Sequence, residues 1–184
     1  MTTIIAKETP KGVEIGFDSL CTGYDSFDLD QKKVFVNAGM VFGVAGRLLL
    51  ATELKHADLP TPPETGVEKW LTARLVPKIR QLLNEIAPRR NGDGFGMQIL
   101  IVIHNKVYEI SGDTGWHRRT DGLYTVGSGS PYAFGAMAAG GSVRDALQVA
   151  ASVDPGTGGR LTVTTASTLL ADTGLTSRRF GGTV

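Results

Sequence analysis

Cysteine is almost absent from this chain of 184 residues: Cys21 stands alone, which excludes an internal disulfide and any zinc site built on cysteines. Histidine is scarce as well. His56, His104 and His117 fall after a helical stretch, in a hairpin turn and among polar residues, and none has a partner at ligand or triad spacing. No apolar run approaches the ~20 residues needed to span a bilayer, and no basic-then-apolar leader precedes Thr2. The net charge is +1 with Lys and Arg scattered, so no basic face suits nucleic acid and the expected partner is protein or peptide. There is no internal repeat. With one cysteine and no leader, a reducing cytoplasm is the expected compartment.

What is present is a chain long enough for one domain with a sizeable core. Its 24 glycines sit mostly in turns between apolar runs, the pattern of many tight connections. The chain opens with a hairpin: a β-type run over 3–8, a turn at Thr9–Gly12, and the period-two alternation of Val13–Phe17. Antiparallel pairing returns Asp18 to the start of the first strand, beside Thr2. A polar loop over Thr22–Gln31 leads to a second, almost wholly apolar hairpin, 34–36 and 40–45, as expected of strands covered on both faces.

Leu48, Leu49, Ala51 and Leu54 predict a short helix, stopped by Pro60, Pro62 and Pro63. Thr65-Gly66-Val67-Glu68 has the form of a capping box. Leu71, Leu75, Ile79, Leu82, Leu83 and Ile86 then follow at helical spacing, with a kink or break expected at Pro77. The glycine-rich stretch 89–96 reads as a mobile loop. A third hairpin turns at His104-Asn105, and a further strand covers 123–126. Ser130 and Pro131 predict a helix start, and Ser142 with Asp145 a second. The last strand carries Leu161 and Val163, and only the final residues of the closing stretch are expected to be loosely held. Strand hairpins and helix pairs in separate blocks give an α+β fold, two stacked antiparallel sheets between helical layers.

The chemistry lies in polar residues at the ends of these elements. Thr2 stands directly behind Met1. Once that methionine is removed, one residue carries a hydroxyl nucleophile and, in its α-amine, a base with an ordinary pKa of roughly 8. Asp18 follows the second strand and Lys33 opens the third. Gly46 ends Val44-Ala45-Gly46, Ser128 lies in Gly127-Ser128-Gly129, and Asp154-x-x-Thr157-Gly158-Gly159 precedes the last strand. Singly, each is an ordinary turn, cap or solvated residue. Six in this order form a far more specific pattern.

That pattern resembles the proteasome β-type subunits, and most of all the HslV-type peptidases, which are N-terminal-nucleophile hydrolases. The resemblance covers roughly the first 165 residues, a single catalytic domain over 1–165, with 166–184 as a C-terminal extension. It implies the four-layer αββα sandwich of that fold. It also implies a catalytic set of Thr2 as nucleophile, Asp18 and Lys33 as its ion pair, Gly46 as oxyanion donor, and Ser128, Asp154 and Thr157 orienting the amine. Thr157 stands where the family has serine and keeps the hydroxyl. Cys21, Val44 and Leu48 are implied to line the primary specificity pocket, favouring an apolar residue before the scissile bond. No metal or organic cofactor is implied. The implied activity is threonine endopeptidase action on unfolded proteins or peptides within hexameric or heptameric rings, with a possible ATP-dependent unfoldase as partner. Two other readings keep the same scaffold: an amidase for a small amide, and a catalytically silent ring or interaction protein.

Overall fold

The computed structural model describes residues 2–22, 26–28, 33–86, 96–112 and 115–173. The opening hairpin forms as its alternation predicts: β1 (Thr3–Thr9) and β2 (Gly12–Phe17) pair antiparallel from Ile4↔Phe17 to Thr9↔Gly12. Two later strands flank them. β10 (Leu123–Gly127) adds to β1 and β11 (Thr162–Thr165) adds to β2, giving the order β10-β1-β2-β11.

The second sheet is built from β5 (Val34–Asn37), β6 (Met40–Ala45), β7 (Gln98–Ile103), β8 (Lys106–Ile110) and β9 (Trp116–His117), in sequence order and antiparallel throughout. Its tight turns are carried by residues with positive φ, Ala38 and Gly39 in one and His104 and Asn105 in the other.

Period-two alternation sends neighbouring residues of β1 to opposite faces. Ile4 and Ala6 join Phe17, Val41, Leu100 and Val102 in the core between the two sheets. Ile5 faces the other way, into the helical layer of α4 (Ser130–Ala138) and α5 (Val143–Val153), against Ala133, Leu147 and Ala150. The outer face of the second sheet buries Phe42, Val44, Ile99 and Ile101 against α1 (Leu48–His56) and α3 (Val76–Ile86) through Leu54, Ile79 and Leu83. The result is an α+β sandwich of two stacked sheets between helical layers, as the sequence predicts. The unbroken apolar runs of β6 and β7 follow from this, since both faces of those strands are covered.

Proline accounts for the irregularity in the long helix. α2 (Val67–Trp70) passes into a π-helical segment, Leu71–Leu75, directly ahead of α3. Pro77 has no N–H to give to the preceding turn, and the widened turn, in which the Val76 N–H reaches the Leu71 carbonyl, takes up the mismatch.

Three local expectations differ from the structure. The capping box at Thr65 does not form: Gly66, left-handed at φ 70°, is the N-cap, and no side chain caps the helix. Part of the expected loop 22–31 pairs as a ribbon of β3 (Leu20–Thr22) and β4 (Ser26–Asp28). Ser130 lies inside α4 and does not cap it; its hydroxyl donates to the Thr125 carbonyl at 2.8 Å. Beyond these, the stretch after 165 holds a helix, α6 (Ala166–Asp172), capped by Thr165 and burying Ala166 and Leu169. The Ser142–Asp145 capping box forms as expected. Of the glycine-rich stretch 89–96, residues 89–95 lie outside the described residues, as do the closing residues 174–184. No helix among the described residues is long and apolar enough to cross a membrane.

Candidate active site

Antiparallel pairing continues one step past the regular hairpin, where the Asp18 N–H reaches the Thr3 carbonyl at 3.3 Å, and this fixes Asp18 beside Thr2. The carboxylate is fully buried. Three donors converge on its Oδ1: the Thr2 hydroxyl at 2.9 Å, the Thr3 backbone N–H at 2.9 Å and the Lys33 ammonium at 2.8 Å. The Gly158 N–H reaches Oδ2 at 3.2 Å. Lys33 enters at the head of β5, 6% exposed, and also donates to the Leu20 carbonyl at 2.6 Å. A buried charge pair persists where each member is hydrogen-bonded, and both are here.

A second carboxylate serves the nitrogen of Thr2. That N–H donates to Ser128 Oγ at 3.3 Å, and Ser128 Oγ donates to Asp154 Oδ2 at 2.7 Å. Thr157 Oγ1 donates to the same oxygen at 2.6 Å. Since the proton of Thr157 is committed to Asp154, its contact with Thr3 Oγ1 runs from Thr3 to Thr157. A directed relay therefore joins both faces of the strand start to one carboxylate. Burial by itself raises the Asp154 carboxyl, but the hydrogen bonds from Thr157, Ser128 and the Gly156 N–H outweigh it and hold the group below the usual aspartate value.

The sign of the pH dependence follows. A depressed folded-state pKa contributes stability above the unfolded value, near 4, that is lost as pH falls through the folded pKa. Asp154→Asn is expected to flatten the fall in unfolding free energy below about pH 4. Urea melts of both proteins across that range would check this, and parallel curves would contradict it.

Two further bonds fasten the 154–160 turn to the residues directly after Asp18. The Leu20 N–H meets the Gly158 carbonyl at 3.2 Å, and the Arg160 N–H meets Ser19 Oγ at 2.7 Å. Thr2, Asp18, Lys33, Ser128, Asp154 and Thr157 thus occupy one continuous hydrogen-bonded cluster.

Glycine is required where this cluster is tightest. Gly127 has φ +96°, and a Cβ there would lie 2.0 Å from the Thr2 carbonyl oxygen; at Gly129 a Cβ would lie 2.1 Å from Thr3 Oγ1. Gly127→Ala is expected to cost roughly 1–3 kcal/mol through backbone strain alone. It also displaces Thr2, whose carbonyl oxygen and side-chain methyl the new Cβ would meet. Thermal melts of the variant beside the wild type would test it; an unchanged melting temperature would contradict the tight packing.

Thr2 separates two clefts. One, of ≈ 250 Å³, has Cys21, Val44, Leu48 and Ala51 in its wall together with Lys33 and Gly46. The other, of ≈ 680 Å³, is walled by Gly46, Met97, Gln98, Ser111 and Ser128 among others. Gly46 thus borders both clefts beside Thr2, and Cys21, Val44 and Leu48 share the smaller.

No protein-family model matches the chain, and no curated protein matches it. Solved structures do. Thiobacillus denitrificans BPH in complex with epoxomicin aligns with a TM-score of 0.73 at 19% identity, over 89% of this chain and 98% of that one. Thiobacillus denitrificans BPH in a second structure gives a TM-score of 0.69 at 19% identity over 89% and 98%, and eukaryotic HslV from Trypanosoma brucei gives 0.59 at 20% over 88% and 97%. The chain has the HslV-type fold. In this fold the cluster around Thr2 draws on the starts of β1 and β5, the end of β2, the link from β10 to α4 and the turn after α5.

Several cluster members carry no obvious sequence signal. Thr3 reads only as the first residue of a strand, yet its N–H and hydroxyl serve the two carboxylates separately. Gly158 lay within the Asp-x-x-Thr-Gly-Gly motif, and its amide contact to Asp18 could have been sought there. Gln98 had no signal, because it reaches Gly127 only when the two sheets stack.

Proposed function

We propose that this protein is a threonine endopeptidase whose nucleophile is the Thr2 hydroxyl, active once Met1 is removed and the Thr2 nitrogen becomes a free amine. One convergence supports the reading: the 4%-exposed Thr2 directs its hydroxyl to the Asp18–Lys33 pair and its nitrogen to Ser128, at the junction of two clefts. A scaffold without chemistry has no need of a buried lysine–aspartate pair set against a strand start.

In the first half-reaction the α-amine accepts the hydroxyl proton as Thr2 Oγ1 forms a bond to the scissile carbonyl carbon. The carbonyl oxygen becomes an oxyanion, met by the Gly46 N–H, a donor type worth about 3–4 kcal/mol to such a transition state. The C–N bond then breaks, the leaving amine takes the proton from the α-ammonium, and an ester on Thr2 remains. Water attacks that ester with its proton passing to the amine. The carboxylic acid product leaves as Oγ1 recovers the proton. Throughout, Asp18, charge-balanced by Lys33, holds the hydroxyl, while Ser128, Asp154 and Thr157 orient the amine by hydrogen bonding.

The cleft of Cys21, Val44 and Leu48 takes the side chain before the scissile bond, and its aliphatic lining selects an apolar one. The chain assembles into closed rings and acts on unfolded proteins or peptides, with an ATP-driven unfoldase as feeding partner. Epoxomicin, which occupies Thiobacillus denitrificans BPH, is the direct probe. The protein trimmed to Thr2 is expected to gain the mass of one epoxomicin per chain, and Thr2→Ala none. A trimmed protein that is not labelled and turns over no peptide would sink the reading. A clean monomer by solution mass at native pH would remove its ring component.

A further inference from the structure

Gln98 opens β7 in the second sheet, paired across the ladder with Ala45 and so one residue from Gly46. Its side chain crosses to the first sheet, where Oε1 accepts the Gly127 N–H at 3.0 Å. That bond settles the amide orientation, because a backbone N–H can only donate. With the oxygen anchored, the planar side chain fixes Nε2 as well, and no acceptor among the described residues meets it. Gln98 is half-buried, and it lines the larger cleft beside Thr2, Gly46 and Ser128.

Resting on the peptidase reading above, we infer that Gln98 is a specificity-determining residue for the leaving-group side of the substrate: its Nε2 donates to a backbone carbonyl of the chain beyond the scissile bond. The smaller cleft, with its aliphatic wall, suits one side chain. The larger one, ≈ 680 Å³, suits continuing peptide. A donor held in place before substrate arrives costs little further ordering on binding, which is what makes one neutral hydrogen bond useful for recognition. The same side chain sets the position of Gly127, and Gly127 packs on the Thr2 carbonyl. It therefore joins the leaving-chain cleft to the nucleophile.

Gln98→Glu separates these two roles. The carboxylate keeps an acceptor for the Gly127 N–H and replaces the donor with a second acceptor. Two substrates sharing one acyl portion are compared, one continuing as peptide past the scissile bond and one ending there in an aminocoumarin amide. The ratio of kcat/KM for the extended over the truncated substrate is expected to fall roughly five- to tenfold in Gln98→Glu, with the loss in KM. Gln98→Ala removes the acceptor too. It is expected to lower both substrates further and to show a similar fall in the ratio. A purely structural role would depress both substrates together and leave the ratio unchanged, which would overturn the inference. If the wild-type protein trimmed to Thr2 hydrolyses neither substrate, the peptidase reading fails as well; if it hydrolyses both and the ratio does not move, only the role of Gln98 fails.

Discussion

Replacing Thr2 by alanine is expected to reduce peptide hydrolysis by a factor on the order of 10³ or more, since a covalent mechanism without its nucleophile retains only binding and oxyanion contributions. The fold should survive. Only one hydrogen bond to Asp18 is removed, a net loss of about 1 kcal/mol, and Oδ1 keeps its bonds from Thr3 and Lys33. Thr2→Ser is the informative partner. It retains the hydroxyl but loses the methyl that lies over Gly127, where a Cβ would approach it to 2.8 Å. Without that packing the hydroxyl rotates more freely, and turnover should fall severalfold while remaining measurable. Activity retained by Thr2→Ala, or lost equally in both variants, would place the nucleophile elsewhere.

Asp18→Asn carries the second large effect, and it falls on stability and activity together. The variant removes the carboxylate to which a 6%-exposed ammonium is bonded. Breaking a buried pair by removing one member costs roughly 3–5 kcal/mol. Donors also approach both oxygens, so the amide NH2 must face either the Gly158 N–H or the donors at Oδ1, and the carboxamide shifts away from the Thr2 hydroxyl. Adding Lys33→Met should restore most of the stability without restoring turnover, because the buried charge goes while the hydroxyl remains unheld. Denaturant melts of the two single variants and the double variant, read beside their turnover, separate the effects. A double variant as unstable as the sum of the singles would show that the pair is not coupled as its 2.8 Å contact implies.

Legibility in the sequence followed the range of the interactions. The hairpin at Thr9–Gly12 and the turn at His104-Asn105 were visible because local alternation and turn chemistry decide them. The approach of Asp18 to Thr2 was visible for the same reason, being one step beyond a hairpin register. The helix break near Pro77 was legible, but its form was not: a missing N–H announces a defect, and the surrounding packing chooses a π turn over a kink. Thr65 was misleading because Gly66 takes a left-handed conformation and becomes the cap itself. α6 was hidden because its buried face is only Ala166 and Leu169, too short a pattern to register as a period. Gln98, Thr3 and Gly127 are brought to the cluster by sheet stacking and strand pairing across more than a hundred residues in places. No local pattern records such contacts.

The central claim is that Thr2 attacks only as the first residue of the chain. Acid quenching of the protein during turnover of a slowly deacylating peptide, followed by mass mapping of the acyl group, tests it most directly. The acyl group is expected on chains that begin at Thr2, as an ester on that residue, and on no chain that retains Met1. An acyl group on another residue, or turnover by chains that keep Met1, would contradict it.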